Sequence, residues 1–431
     1  MSKKFLRDMF VTGFALFAML FGAGNLIFPP YLGWHSASNW FLGFLCFFFI
    51  DIGLSLLALF VIIKLGNNGL RVSARLGSNT SKLLMFLTVI CIGPLVAVPR
   101  TAATTFEIGI QPLLPNFNSH VFSVLFFLIV ILLSINQSRA VDIIGTILAP
   151  TMFVVILVLI ARGVISPLGT VESTTSMSAV VREGILSGYQ TMDMMAMFLF
   201  SGIVLLSVTQ KGYTESKQQA KIIRGSGVLA AAALFIVYGG LAYLGATVSS
   251  VYTSDLGLSA LLVSITLDLL GEKGIILLGI IVALACLTTA IGLITSSASY
   301  FSELSAGRMP YRRMVIILSA FSCVLSNLGT SSIISLASPI LELIYPVLII
   351  LTVLGIFNHR IQNDNVFRFA AAGAFLTSCM ALIQNTFKID LGLRFLPLAE
   401  FGFGWIIPSI ILGISGHLIS RKNIPSSALH N

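Results

Sequence analysis

Apolar stretches about as long as a bilayer is thick recur along almost the whole chain. A membrane-crossing helix needs about 20 predominantly apolar residues, and this 431-residue sequence is 57% hydrophobic and only 10% charged. A typical soluble domain is about 25% charged, so we predict an all-α polytopic membrane protein with twelve transmembrane helices. The predicted spans are 9–34, 40–64, 83–110, 119–137, 141–162, 184–210, 222–248, 273–302, 312–328, 332–357, 366–387 and 402–420.

The positive charges are distributed unevenly between the two sides of these spans. If the N-terminus and every second loop are cytoplasmic, 19 Lys and Arg residues lie inside, five lie outside and Arg100 lies within a span. Positively charged loops are retained in the cytoplasm, so both termini are predicted to be cytoplasmic. Orientation and contact with the lipid bilayer explain the net charge of +9. We therefore expect no nucleic-acid partner, and no obligate protein partner is indicated.

The first span contains a short segment that is unsuited to a continuous helix. Residues 19–30 read Met-Leu-Phe-Gly-Ala-Gly-Asn-Leu-Ile-Phe-Pro-Pro. Glycines spaced in this way often form only a close-packing helix face, but the adjoining Asn25 and two prolines favour a break. Non-helical backbone at membrane depth persists only where protein buries it or where it lines a cavity. The segment therefore predicts a ligand site.

The sixth span carries a second candidate break. Asp193 is followed by Phe-Ser-Gly at 200–202, which we expect to interrupt the helix. Breaks in the first and sixth spans are typical of two inverted five-helix repeats, although the halves show no visible sequence similarity. We predict a single transporter domain, a 5+5 inverted repeat with two extra C-terminal helices. Its predicted bounds are 1–431 for the domain, about 9–165 and 183–358 for the repeats, and about 364–420 for the additional helices.

The eighth span presents two adjacent hydroxyls, Thr288 and Thr289, close to Ala285. Oxygen donors of this kind are what hard cations prefer, so the pattern indicates half of a sodium site. Carbonyls of the broken first span, around Ala18 and Phe21, would supply the other half. The alternative is that the threonines bond back to carbonyls one turn earlier, as threonines in membrane helices commonly do.

Nothing in the sequence indicates an enzyme. The five histidines lie at span ends or in loops without a His-Glu-x-x-His pattern, and the five cysteines lie within spans without Cys-x-x-Cys spacing. No catalytic residue and no cofactor other than a coupling ion is predicted. The polar residues within the spans are mainly Gly, Ser, Thr and Asn, which suit an ion or a zwitterion.

Three motifs carry a resemblance to a known family. Phe21–Pro30, Gly93–Ala102 and Gly188–Asp193 are similar to signatures of the bacterial branched-chain amino acid:cation symporters, the BrnQ-like family. Through that family the chain resembles the LeuT-type superfamily, whose ion motif Ala-x-Leu-Thr-Ser is matched here at 285–289 with Thr in the last position. The resemblance implies that the predicted 5+5 inverted repeat is LeuT-like. The resemblance implies a bacterial plasma-membrane transporter in which one Na⁺ is bound by Ala18, Phe21, Ala285, Thr288 and Thr289. A second sodium site, with Asn25 as one ligand, is left open.

The predicted substrate site follows from the chemistry of the breaks. Free N–H groups at Gly22, Ala23 and Gly24, with the positive end of the next half-helix, favour a substrate carboxylate. A substrate ammonium would meet carbonyls freed at the breaks. An aliphatic side chain would be enclosed by aromatic and apolar residues. The full predicted substrate-binding set is Phe21, Gly22, Ala23, Gly24, Asn25, Asp193, Phe198, Phe200, Ser201, Gly202 and Leu293.

Charged residues within spans need a partner or a cavity, because an unpaired charge at the bilayer centre costs at least about 2.5–3.5 kcal/mol. Asp51, Asp193 and Glu342 are such residues, as is Arg100. Asp193 has either a substrate or coupling role or a structural one. Arg100 either organises an outer vestibule with Glu107, two turns further along the helix, or acts as a structural tether.

The favoured function is sodium-coupled uptake of leucine, isoleucine and valine by alternating access. A proton-coupled symporter or exchanger that uses Asp193 or Glu342 is the main alternative. A channel is a weaker one, because paired helix breaks suit an occluded site better than a continuous pore.

Overall fold

A computed structural model of the chain describes residues 3–65, 70–135, 149–171, 176–252 and 256–421. This part of the chain is helical and contains no strand. Parts of the predicted spans 119–137 and 141–162 lie outside the described residues. The helices are α1 Lys3–Leu20, α2 Ala23–Ser36, α3 Trp40–Phe48, α4 Leu54–Lys64, α5 Leu70–Ser73, α6 Ser78–Ile90, α7 Ala97–Thr105, α8 Ser119–Ser134, α9 Ala149–Ile165, α10 Met177–Thr191, α11 Asp193–Gln210, α12 Ser216–Thr247, α13 Leu258–Leu304, α14 Tyr311–Ser326, α15 Thr330–Ile356, α16 Asp364–Phe387 and α17 Ile406–Arg421.

The helices have the length and the surface of membrane-embedded segments. Within the described residues, seven helical stretches of 24 to 47 residues are long and apolar enough to cross a bilayer, and three shorter apolar helices accompany them. Large apolar side chains point outward, including Leu132 and Val324, which are 71% and 72% exposed. Soluble proteins rarely expose apolar side chains in such number, so this surface faces lipid. The chain is an integral membrane protein.

The first break separates α1 from α2 at Phe21 and Gly22. Gly22 adopts extended backbone angles at the start of α2, and its N–H donates to Asn25 Oδ1 over 3.2 Å. The Asn25 side chain thus replaces a helical hydrogen-bond partner within the first turn of α2. The break predicted around the Gly-Ala-Gly-Asn segment is confirmed. Its non-helical residues are Phe21 and Gly22, and the rest of the segment belongs to α2.

The second break lies at Met192, between α10 and α11. Met192 has a left-handed backbone (φ +67°), which is uncommon for a residue other than glycine. The predicted interruption at Phe200–Gly202 is wrong, since α11 runs continuously through those residues. A glycine is tolerated inside a membrane helix when neighbours satisfy the backbone, so Gly202 did not by itself mark a break.

The helices of spans 2 and 3 are also irregular. A π-helical turn at Phe49–Gly53 connects α3 to α4 and contains Asp51. A second π-helical turn at Cys91–Leu95 connects α6 to α7, where Gly93 and Pro94 prevent a regular helix. Such turns shift the direction of the following side chains. The side chains of Asp51 and Arg100 therefore project in directions that a straight helix would not give them.

Helices of spans 1, 2, 6 and 7 form one packed group. α2 packs along α12, α3 along α10, and α4 along α11. The closest approach joins α2 to α12: a Cβ on Gly33 would lie 1.8 Å from Ala242 O, and one on Gly245 would lie 1.9 Å from Pro30 O. Only glycine permits the two backbones to approach so closely.

Gly33→Ala is therefore expected to destabilise the protein by about 1–3 kcal/mol, because the added methyl would push the two backbones apart. Thermal unfolding of the detergent-purified protein measures this change. Gly202→Ala is the matched control, since its Cβ would meet nothing within 4 Å. Equal melting temperatures for the two variants would contradict the proposed contact.

Candidate functional site

Asn25 occupies the centre of a buried polar cluster where the two breaks meet. Its Nδ2 donates to Asp193 Oδ2 over 2.9 Å and to Asp51 Oδ2 over 3.1 Å. Asn25 and Asp51 are each 1% exposed and Asp193 is 7% exposed. Thr191 Oγ1 lies 2.8 Å from the other oxygen of Asp51. One amide therefore joins carboxylates from the π-helical turn of span 2 and from the start of α11.

Arg100 reaches this cluster from α7. Its Nη1 donates to Gln190 O over 2.5 Å and its Nη2 donates to Thr191 O over 3.3 Å. These carbonyls belong to the last turn of α10, where the helix dipole is negative and the last carbonyls lack helical partners. The guanidinium also faces the ring of Phe28 at 5.8 Å. Arg100 therefore caps the broken end of α10 and brings a positive charge to the two buried carboxylates.

Glu107 has a different role from the one predicted with Arg100. Its Oε1 accepts from Thr330 N over 2.8 Å, at the start of α15, and its Oε2 accepts from Ser259 Oγ over 2.6 Å. The carboxylate thus caps α15 and ties it to the first turn of α13. The alternative that pairs Arg100 with Glu107 is wrong, because Arg100 is directed to the end of α10 whereas Glu107 is directed to α13 and α15.

The breaks enclose a small cavity of about 20 Å³, which is on the scale of one water molecule. An amino acid cannot fit without movement of its walls. The cavity is polar on the side of the cluster and apolar on the other. Its lining consists of Met19, Gly22, Ala23, Asn25, Ile92, Ala97, Arg100, Thr101, Thr191, Met192, Asp193, Ala196, Phe200, Thr289 and Leu293.

The structure brings together part of the predicted substrate-binding set. Six of its members line the cavity: Gly22, Ala23, Asn25, Asp193, Phe200 and Leu293. Phe21, Phe198 and Ser201 are buried next to the break helices without lining it, and Gly24 packs against Arg100. Gly202 lies on the exposed face of α11.

The predicted sodium ligands lie where the first break meets α13. Ala18, Phe21 and Ala285 are buried. Thr288 Oγ1 donates to Ala285 O over 2.8 Å, the local hydrogen bond that the alternative interpretation expects. Thr289 differs: its Oγ1 is buried without a hydrogen-bond partner among the described residues, and a Cβ on Gly22 would lie 3.3 Å from it. A buried hydroxyl oxygen without a partner suits a cation ligand.

Three residues of the cluster lie outside the site set that the sequence predicts. The sequence marks Asp51 and Arg100 only as charges within spans, and it carries no signal for Thr191. The π-helical turn gives Asp51 its direction, and an apolar sequence around Asp51 carries no signal for that turn. The one available signal was that a buried aspartate requires a partner in an otherwise apolar helix.

A buried polar cavity between two broken membrane helices defines a class, the membrane transporters with discontinuous helices. The family model described as branched-chain amino acid transport protein matches residues 5–423, and the chain belongs to that family. It is thus a transporter and not an enzyme. The branched-chain amino acid permease BraB of Bacillus subtilis (strain 168) is 34% identical over 438 residues, which cover 99% of this chain and 98% of BraB. The permease BrnQ of Escherichia coli (strain K12) is 30% identical, with 98% of each chain covered.

Solved transporter structures share the fold. Mhp1, a nucleobase-cation-symport-1 family transporter in a closed conformation, has a TM-score of 0.63, with 97% of this chain and 93% of Mhp1 covered at 14% identity. A Na⁺-coupled sialic acid symporter has a TM-score of 0.64, with 95% and 90% covered, also at 14% identity. MhsT, solved with L-phenylalanine, has a TM-score of 0.53 at 16% identity, with 95% and 97% covered. The fold is therefore of the LeuT type.

Asn25→Ala is expected to lower the free energy of unfolding by about 3 kcal/mol, because two buried carboxylates lose a shared donor. Thermal unfolding in detergent measures the loss. Asn385→Ala, on the exposed part of α16, is the matched control. Combining Asn25→Ala with Asp193→Asn should destabilise by less than the sum of the single changes. Strict additivity would show that the bridge contributes no coupling.

Proposed function

We propose that the chain takes up leucine, isoleucine and valine with Na⁺ as the coupling ion, by alternating access in a bacterial plasma membrane. The permease names of its relatives support the substrate class. The observation that carries the proposal is the meeting of the breaks at Phe21–Gly22 and Met192 around one buried cavity. The positive-inside distribution of Lys and Arg supports cytoplasmic termini.

The polar side of the cavity suits the two charged groups of an amino acid. The first turn of α2 has N–H groups without helical acceptors, among them those of Ala23 and Gly24, and they favour a carboxylate. Arg100 adds positive charge on the same side, since its Nη2 would lie 2.9 Å from a Cβ on Gly24. Asp193 lies in the same lining and would attract the ammonium.

The apolar side of the cavity suits an aliphatic side chain. Met19, Ile92, Ala196, Phe200 and Leu293 line it and carry no hydrogen-bonding group in their side chains. One methylene more or less in such a pocket changes the binding free energy by only about 1–3 kcal/mol. We therefore expect leucine, isoleucine and valine all to be accepted.

Sodium would join the first break to α13. Thr289 would contribute its unpartnered oxygen, and Thr288 retains lone pairs while it donates to Ala285 O. An ion held there favours the arrangement that presents the substrate site, so the two ligands bind cooperatively. One Na⁺ crossing about 100 mV supplies about 2.3 kcal/mol, and a tenfold sodium gradient adds about 1.4 kcal/mol. Together these support accumulation of a few hundred-fold.

The small volume of the cavity supports a cycle that opens and closes. Spans 1, 2, 6 and 7 pack on one another, whereas Arg100 on α7 and Thr289 on α13 face them across the cavity. Rocking of the first group against the second would open the cavity to one side at a time.

Leucine uptake into proteoliposomes should require an inward Na⁺ gradient and fail when K⁺ replaces Na⁺. Thr289→Ala should raise the Na⁺ concentration for half-maximal uptake about tenfold, since losing one hydrogen-bonding oxygen to a charge costs about 1.5 kcal/mol. Thr289→Ser should retain the wild-type value.

Thr352→Ala is the control for this experiment. The hydroxyl of Thr352 is also buried without a partner among the described residues, but it does not line the cavity. The sodium assignment would be overturned if leucine uptake did not depend on Na⁺ and Thr289→Ala took up leucine as the wild type does.

Proton coupling is the second candidate, and the buried carboxylate pair favours it. Asp51 and Asp193 share one amide donor, and two nearby buried carboxylates do not readily ionise together. If protons are the coupling ion, adding leucine to lightly buffered vesicles will alkalinise the medium, and Asp193→Asn will abolish that signal. A medium of constant pH during Na⁺-driven uptake would exclude this mode.

A further inference from the structure

A second, larger cavity lies between α6, α15 and α16, and none of its lining residues lines the substrate site. Its volume is about 480 Å³, and its walls are almost entirely leucine, isoleucine, valine, alanine and phenylalanine side chains. The small residues Ala371 and Ala372 create the groove, because larger side chains at these positions on α16 would fill the space between the helices. Ala372 is exposed, so the groove opens to the surface of the protein.

The groove runs along α6 and α16, at the ends of these helices that are predicted to lie on the cytoplasmic side. Arg368 lies one turn from the start of α16, and Phe375 lies seven residues further on. Seven residues of helix span about 10 Å. On α6, Thr80 and Leu87 line the groove over the same length. One leaflet of the hydrocarbon core is about 15 Å thick, so the groove matches much of one acyl chain.

A positive charge without an acidic partner stands at one end of the groove. Arg75 is neutralised by Asp364, with 2.6 Å between Nε and Oδ1, and it also donates to the carbonyls of Ile361 and Gln362. Arg368 has no carboxylate within 4 Å among the described residues, and its Nε donates to Arg75 O over 3.3 Å. The terminal nitrogens of its guanidinium are thus available to an anion.

We propose that an anionic phospholipid of the cytoplasmic leaflet binds here, with one acyl chain in the groove and its phosphate at Arg368. A guanidinium holds a phosphate with two parallel hydrogen bonds, and basic residues at the cytoplasmic end of clefts between membrane helices select anionic lipids. The bound chain would contact α6, α15 and α16 together. It would thereby join α16, outside the predicted repeats, to span 3 and span 10.

Native mass spectrometry of the full-length protein tests this inference, with one-to-one mixtures of dioleoylphosphatidylglycerol and dioleoylphosphatidylcholine as the probe. The wild type should retain one phosphatidylglycerol molecule in preference to phosphatidylcholine. Arg368→Gln should reduce that preference about fivefold, the effect of one basic residue near the membrane surface. Arg368→Lys should keep most of the preference for phosphatidylglycerol, because the positive charge remains.

Ala372→Phe should reduce retention of both lipids, because the ring would occupy the groove. Because Ala372 is exposed, the ring does not overpack the protein interior, and we expect Ala372→Phe to fold. Leu376→Phe, on the same helix but outside the groove, and Arg313→Ala, an exposed arginine of α14, should both behave as the wild type does. Equal retention of the two lipids by the wild type, or an unchanged preference in Arg368→Gln, would overturn the proposal.

Discussion

The arrangement of the membrane helices depends on one buried amide. The Asn25 side chain holds the Gly22 N–H through its oxygen and two carboxylates through its nitrogen. It thereby supports the broken backbone of span 1 and fixes its position relative to spans 2 and 6. In a low-dielectric interior, leaving any of these groups without a partner would cost about 1–3 kcal/mol or more. The backbone of the first break is supported by Asn25, and the end of α10 at the second break is supported by Arg100.

The hydrogen bonds of the cluster are of two kinds, those within the packed group of spans 1, 2, 6 and 7 and those that reach this group from span 3. Asn25, Asp51 and Asp193 all belong to the packed group of spans 1, 2, 6 and 7, so their hydrogen bonds hold that group together internally. Arg100 belongs to span 3 and reaches across to the carbonyls of Gln190 and Thr191. A rigid-body movement of the group keeps the first set of hydrogen bonds. The same movement changes the bonds of Arg100, because their two ends lie in different groups.

Sequence patterns predicted the membrane class, the break in span 1 and the residues around it, because glycines, an asparagine and prolines within an apolar stretch have local and specific consequences. The position of the second break was not predictable in this way. Met192 adopts a left-handed backbone that its own side chain does not favour, and the hydrogen bonds of Arg100 to the end of α10 support it. Such support comes from a residue about ninety positions away, which periodicity and composition do not reveal. The same holds for Asp51, whose direction depends on a π-helical turn in a uniformly apolar segment.

The closed cavity connects these interactions to transport. At about 20 Å³ it is too small for an amino acid, so binding requires displacement of side chains in its lining. The polar wall is fixed by the Asn25 bridge and cannot be displaced without exposing buried carboxylates. The apolar wall, which includes Phe200 and Leu293, is held mainly by packing, and side chains there can move without leaving a hydrogen-bonding group unpaired. The recognition of charged groups can therefore be rigid while accommodation of the aliphatic side chain is adaptable, which suits the proposed binding of three similar substrates.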